Sequence, residues 1–197
     1  TYQKQSDNLL NKLNELKNTY YNNNSKKTFF KNNQKLDCAD MVSKSIDINT
    51  LIHNTLFQLE NSNNLFFQYT IFKTFATNNN INQILDYFMN LLENVIDTYG
   101  SFKLHVNMET YTITAHERYK NMYAELFSRC KQNNILFSDK LISMNIYNTP
   151  NVINTLQVFF APFIDKNAVD KIFVFDKKQS QVSIEKLFVN NNIKELH

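Results

Sequence analysis

The histidines of this chain come closest to a metal-binding or acid–base pattern. The run from His116 to Lys120, HERYK, would match the zinc motif H-E-x-x-H only if Lys120 were a second histidine. His105 lies within an apolar run, where a histidine is more often a hydrogen-bonded core residue than a ligand. We therefore expect no metal site at either position.

The acidic residues predict no catalytic pair. Glu109, Asp139, Asp165 and Asp170 all lie near expected turns or helix caps, where carboxylates are solvated or accept from backbone N–H groups. A sequence neighbour such as Lys140 does not share a helix face with Asp139. Because no nucleophile, base and orienting group can be assembled, we expect a protein that is not an enzyme.

A single glycine, Gly100, excludes several classes of site. A phosphate-binding loop needs several glycines so that backbone N–H groups can approach the phosphates, and a dinucleotide fingerprint needs three. The nucleophile elbow G-x-S-x-G needs two. The sequence therefore predicts neither a nucleotide-binding loop nor an elbow hydrolase.

The composition of the 197 residues indicates a chain without a strongly charged partner. The net charge of +3 gives no basic field of the kind that binds nucleic acid, so no nucleic acid is expected. Asparagine is unusually frequent, with 32 residues, which fits AT-rich codon usage better than a functional segment.

Cysteines and hydropathy indicate the compartment. Cys38 and Cys130 lie far apart outside any CxxC spacing, which suggests reduced thiols, although one disulfide between them stays open as an alternative. No apolar run approaches the roughly 20 residues that cross a bilayer. We expect a protein that is neither secreted nor transmembrane, located in the cytoplasm or in a particle assembled there.

The N-terminal part predicts helices joined by a basic arm. Leu9, Leu10, Leu13 and Leu16 form one stripe of a helix over roughly residues 6–20, expected to pack on its own domain. The arm, residues 22–35, could touch an anionic membrane, hold a protein partner, or be a solvated linker. Its candidate contact residues are Lys26, Lys27, Phe29, Phe30, Lys31 and Lys35.

Beyond the arm, the periodicity changes to alternating strands and helices. Short loops between them predict parallel strands with right-handed crossovers, and therefore an α/β fold. The expected elements are a helix at 48–60, a strand at 65–76, a helix at 81–99 closed by Gly100, a strand at 102–108, a helix at 115–133 with a capping box of Thr114 and Glu117, a strand at 141–147, a helix opened by Thr149 and Pro150, a buried strand at 172–175 and a short helix at 183–188.

Three segments of this region resemble the CRAL-TRIO lipid-binding domain family. They are residues 84–100, 102–114 and 146–175, and the likeness extends over about residues 65–187. The third segment carries several features of the family in register: Asn148, Pro150, Pro162, Phe163, Asp165, Lys171 and Ile172.

The resemblance implies a mixed, mostly parallel sheet flanked by helices, with residues 1–55 as a helical N-terminal extension and 56–197 as the CRAL-TRIO-like domain. It also implies a non-enzymatic module that binds a lipid or phosphoinositide in an apolar pocket, with no cofactor besides that lipid. The pocket candidates are Tyr147, Val152, Leu156, Phe159 and Phe160. In the alternative, these side chains fill a solid core, and the chain is a structural or scaffold protein of a large assembly, such as a minor virion component of a large DNA virus.

Overall fold

A computed structural model describes residues 2–26, 29–132, 137–149 and 166–190. The elements, in chain order, are α1 (Tyr2–Asn23), α2 (Lys31–Ser45), α3 (Ile48–Thr55), β1 (Leu56–Gln58), β2 (Asn64–Gln68), α4 (Tyr69–Phe75), α5 (Ile81–Tyr99), β3 (Phe102–Asn107), α6 (Ile113–Gln132), α7 (Phe137–Lys140), β4 (Leu141–Tyr147), α8 (Lys166–Val169), β5 (Ile172–Val174) and α9 (Lys177–Asn190).

The five strands form one sheet in the order β1-β2-β3-β4-β5. β1 runs antiparallel to β2, and the other three pairs are parallel. Parallel neighbours need crossover connections of one hand, so the sequential order of β2, β3 and β4 places the two crossovers between them on the same face of the sheet. The fold is the predicted mixed, mostly parallel α/β fold with helices at its N-terminus.

The first face of the sheet is covered by two hydrophobic clusters. One cluster rests on Phe67 and Val106 of the sheet and joins residues of α1 to α6, and the other rests on Leu65 and Leu104 and joins residues of α5 and α6. Leu13 of α1 is only 1% exposed, and Leu9, Leu10 and Leu16 pack against the same cluster. The predicted docking of this stripe is therefore confirmed. The division of the chain at residue 55 stays a prediction.

The second face of the sheet carries a smaller aromatic cluster. Phe57, Phe66 and Tyr147 are buried there against side chains that follow β5: Phe175, Ile184, Leu187 and Phe188. The last three of these belong to α9, which is the helix packed on this face in the described part of the chain. α9 covers Lys177–Asn190, so it is longer than the predicted helix at 183–188.

The prediction of one strand over residues 65–76 is wrong. β2 ends at Gln68, and α4 begins at Tyr69. The aromatic composition favours a strand, but Tyr69, Phe72 and Phe75 recur at intervals of three and are all buried. Helical spacing therefore places all three in the first cluster, which an alternating strand would not do.

The helix predicted over residues 48–60 is also divided. α3 ends at Thr55, and Leu56 and Phe57 pair with Phe67 and Phe66 in an antiparallel ladder. Local apolar spacing fits a helix here. The exposed edge of β2 decides the outcome, because pairing with it satisfies backbone groups on both strands.

The predicted bounds of the helix that ends before Gly100 are confirmed. The predicted start of the following helix is not. α5 ends at Tyr99, and Gly100 closes it with φ 75° and an N–H that donates to the Ile96 carbonyl at 2.7 Å. α6 begins at Ile113, and the Ala115 N–H donates to Thr112 Oγ1 at 3.2 Å. The cap is therefore Thr112, and the predicted capping box of Thr114 with Glu117 is wrong.

The last strand differs from the expected buried one. β5 is the edge of the sheet, and Phe173 at its centre is half exposed. The helix predicted after Thr149 lies outside the described residues, together with Pro150, Pro162, Phe163 and Asp165.

Candidate functional site

The second face of the sheet places polar side chains from different strands next to one another. Phe66, His105, Asn145 and Phe173 stand opposite each other across β2, β3, β4 and β5. Because alternate residues of a strand point to opposite faces, Tyr147 lies on the same face as Asn145. This face therefore mixes aromatic rings with hydrogen-bonding groups, unlike the apolar first face.

A buried hydrogen-bonded chain runs across this face. His105 Nε2 lies 3.1 Å from Asn64 Oδ1, and His105 Nδ1 lies 2.8 Å from the Tyr147 hydroxyl. Since Asn64 Oδ1 only accepts, Nε2 carries the hydrogen and Nδ1 accepts from the tyrosine. Burial, and secondarily the charge of Lys103, lower the pKa of His105 to about 4. The prediction of a hydrogen-bonded core histidine is confirmed.

Amide side chains meet at the carboxyl ends of three adjacent strands. Asn107 Nδ2 donates to Gln68 Oε1 at 3.0 Å, and Asn148 Nδ2 donates to Asn107 Oδ1 at 2.8 Å. Ligands of α/β proteins bind at this end of the strands. The sequence analysis missed this network, although an amide residue at or directly after the end of each successive strand was a usable signal. Neutral amides can bind a polar group here, but they supply neither a nucleophile nor a proton donor of suitable pKa.

Of the five predicted pocket residues, the described part of the chain contains Tyr147. It is 3% exposed, its ring lies 5.1 Å from that of Phe175, and burial raises its pKa to about 12. The others lie outside the described residues: Val152, Leu156, Phe159 and Phe160.

A basic pocket of about 470 Å³ lies at a different place, between α1 and α2. On α2, Lys31 and Lys35 are one turn apart, and Lys17 and Tyr21 are related in the same way on α1. The pocket is lined by Lys17, Asn18, Tyr21, Asn22, Lys26, Lys31, Gln34 and Lys35. The predicted arm is therefore partly wrong, because Lys31 and Lys35 belong to a helix that packs on the core.

The cations around this pocket lie close enough to repel one another. Burial lowers the pKa of Lys35, and the charges of Arg118, Lys17 and Lys31 lower it further. The pKa of Lys73 is lowered mainly by burial and then by several of these same cations, while Glu109 acts in the opposite direction. The salt bridges within the described residues both involve Arg129, which contacts acidic residues elsewhere. No described carboxylate thus pairs with the cations of the pocket.

Two phenylalanines are exposed beside the pocket. Phe29 is 79% and Phe30 is 74% exposed, and Phe30 holds the left-handed conformation with φ 64° at the start of α2. Of the remaining arm candidates, Lys26 Nζ lies 5.8 Å above the ring of Tyr21, and Lys27 is outside the described residues.

The remaining reactive groups are buried. Cys38 and Cys130 are both free and buried, and burial raises the pKa of both thiols, that of Cys130 to about 11. The thiolate is the nucleophile, so neither cysteine is activated near neutral pH. His116 is 3% exposed, and its Nδ1 lies 3.2 Å from the Tyr111 hydroxyl.

The described residues contain neither a metal-binding cluster nor a membrane-spanning helix. No group of three or more His, Cys, Asp or Glu side chains among them could hold a metal ion. None of their helices combines the length and the apolar character that a membrane span needs.

Comparison with known proteins relates the chain through its fold. No protein-family model matches the sequence, and no curated protein does either. The crystal structure of Sfh5, a Sec14-like (CRAL-TRIO) protein, is similar with a TM-score of 0.53 and 12% identity over 72% of this chain. The alignment covers 57% of the Sfh5 chain, so the present chain spans little more than half of that protein's length. The resemblance is thereby confirmed as a distant fold relationship.

Proposed function

We propose that this chain is a non-enzymatic lipid-binding module that holds an amphipathic lipid against the second face of its sheet. The observation that carries the proposal is the pairing of a CRAL-TRIO-like fold with the mixed chemistry of that face. A ligand pocket is mostly apolar with a few fixed polar groups. The half-exposed ring of Phe173 and the partly buried ring of Phe175 would contact acyl chains on this face, and the amides at the strand ends would bind the polar group.

The neutral amides at the strand ends favour binding over chemistry. Asn107 and Asn148 donate and accept without titrating near neutral pH. The neighbouring His105 stays neutral at that pH, and both of its ring nitrogens are occupied. This side of the sheet therefore suits a bound polar group better than proton transfer.

Native mass spectrometry of the purified chain, followed by organic extraction, tests the proposal. We expect a lipid adduct of one molecule per chain, retained without added ligand. Asn145→Phe adds a ring beside His105 on the second face and should reduce this adduct. Val169→Phe is the matched control, because Val169 is half exposed on α8.

A mass of the chain alone, unchanged after incubation with phosphatidylinositol vesicles, would contradict the lipid-binding proposal. That result would favour the alternative function, a scaffold or virion component that keeps the fold without a ligand. Equal lipid loading of both phenylalanine variants and the unmodified chain would place the lipid away from the second face.

A further inference from the structure

We propose that the pocket between α1 and α2 binds the phosphate groups of an anionic lipid headgroup while Phe29 and Phe30 enter the bilayer beside it. This site is separate from the second face of the sheet, and it does not depend on whether a lipid binds there.

The first argument is the convergence of positive charge on one concave surface. Lys17 comes from α1, Lys26 from the connection that follows, and Lys31 and Lys35 from α2, and all four line the same pocket. Gathering like charges costs free energy unless a counter-charge is bound. Within the described residues no carboxylate forms an ion pair with them, so the pocket suits an anion with several negative charges.

The second argument is that the pocket is held in shape before any ligand binds. Gln34 is 5% exposed, and its Nε2 donates to the Ser25 carbonyl at 2.9 Å, which fixes the connection against α2. Arg118 of α6 donates from Nη2 to Asn32 Oδ1 at 3.0 Å, which ties the start of α2 to the core. The Nε of Arg118 is buried without a hydrogen-bond partner in the described part of the chain, and the charge of this guanidinium acts on Lys35.

The third argument identifies the anion as part of a membrane. Phe29 and Phe30 are among the most exposed aromatic residues described, and they adjoin Lys31 directly. Aromatic side chains next to lysines favour the interface of an anionic bilayer, where the rings leave water and the ammonium groups meet the headgroups. A soluble phosphate compound would use the lysines and leave both rings in water.

The backbone of Phe30 supports the same assignment. It is a bulky residue in the left-handed region with an exposed side chain and no side-chain cap on α2. A left-handed conformation is unfavourable for such a residue, and strained positions of this kind cluster at ligand-binding sites. Here the strained backbone directs an aromatic ring into solvent, as insertion into a membrane requires.

Vesicle flotation of the full chain is the direct test. The probes are phosphatidylcholine vesicles with and without a few mole per cent of phosphatidylinositol bisphosphate, and soluble inositol hexakisphosphate as the membrane-free ligand. We expect flotation with the anionic vesicles only, reduced by salt. Lys31→Ala/Lys35→Ala should weaken partition about 30-fold, because each lysine near an anionic surface contributes about 1 kcal/mol and 1.4 kcal/mol is tenfold.

Lys177→Ala/Lys178→Ala is the matched control, since it removes the same charge from exposed positions at the start of α9. It should float like the unmodified chain. Equal losses of flotation in the two double variants would contradict binding at the pocket. They would show that net charge alone accounts for the partition. If Lys31→Ala/Lys35→Ala retains any copurified lipid, the pocket and the second face of the sheet are independent sites.

Phe30→Gly tests the insertion step without relying on a damaged fold. Glycine accepts the left-handed backbone, so the variant should unfold at a denaturant concentration no lower than that of the unmodified chain. It should lose most of its flotation and keep its affinity for inositol hexakisphosphate. Tight binding of that soluble ligand without flotation on anionic vesicles would overturn the membrane assignment, and binding of neither probe would overturn the site.

Discussion

At the scale of single residues, His105 illustrates how neighbours determine the chemistry of a side chain. It is 5% exposed, and Asn64 and Tyr147 occupy its two ring nitrogens. A buried imidazole loses the hydration that stabilises its charged form, which explains the low pKa. The same contacts that keep it neutral make it an unsuitable acid or base near neutral pH.

The titration of His105 predicts acid sensitivity. Its pKa falls from 6.5 to about 4 on folding, so the unfolded chain binds more protons between these values, and stability rises with pH in that window. The stabilisation is complete above 6.5 and is lost as the pH falls toward 4. Between about pH 7 and about pH 5 we expect a loss of about 2 kcal/mol, measured by urea unfolding.

The control for this titration is His105→Gln, which removes the titrating group from the same position. Burial also lowers the pKa of His116, but His116 is present in both proteins and cancels in the difference. An identical decline in stability toward acid pH in both proteins would show that His105 is not its source.

Gly100 gives a second prediction for a single residue. Its φ of +75° is unfavourable for other residues, yet a Cβ at this position would meet nothing within 4 Å. Gly100→Ala should therefore cost only the conformational penalty, about 1 kcal/mol of unfolding free energy. Gly100→Asn should cost less, because asparagine adopts this conformation more readily. A loss of several kcal/mol in chemical denaturation would mean that a steric clash is present.

At the scale of elements, the start of α6 shows how two adjacent threonines compete for one helix end. Thr112 and Thr114 could each cap a helix in this sequence. Ile113 is already helical, so the oxygen of Thr112 receives the Ala115 N–H, and Thr114 faces outward on the first turn. The same end carries His116, whose Nδ1 lies 3.2 Å from the hydroxyl of the buried Tyr111.

The two threonines allow a matched test. Thr112→Ala removes the cap and should lower the free energy of unfolding by about 1 kcal/mol. Thr114→Ala removes an exposed side chain without a capping role and should change stability by less than about 0.5 kcal/mol. Thermal or urea unfolding of the pair is sufficient, and a larger effect at Thr114 would restore the capping box.

At the scale of the whole molecule, the N-terminal helices are part of the main core. Leu13 of α1, Val42 of α2 and Leu51 of α3 are each 1% exposed or less, and they share one cluster with Phe72 and Tyr119. Such shared burial predicts that residues 1–55 unfold together with the sheet, as a single cooperative unit.

Leu13→Ala tests this cooperativity. Loss of a fully buried leucine side chain should cost about 3 kcal/mol, and the cost should appear in the unfolding of the entire chain. The measurement is urea unfolding followed by circular dichroism together with hydrogen exchange of the sheet amides. Asn14→Ala, at the adjacent exposed position, should have little effect. An unchanged sheet in Leu13→Ala would identify α1 as an independent extension.

The sequence by itself determined the elements whose signals are local. The apolar periodicity of α5 and the glycine that ends it predicted Ile81–Tyr99 and its cap correctly, and β4 was predicted with its observed bounds. Each signal depends on residues within a few turns or one strand, so no distant contact is needed to read it. The crossover order then predicted the parallel sheet.

Only the tertiary structure decided the conformation of segments in which local preference and burial disagree. It also decided which distant residues meet. Aromatic residues at 69–75 favour a strand locally, but the core accepts them as a helix. Asn64, His105 and Tyr147 are about 40 residues apart from one to the next and form one chain only through strand register. The basic pocket likewise exists because α1 and α2 pack side by side. The physical reason is that register and helix packing are set by the burial of the whole core, which no single window of sequence contains.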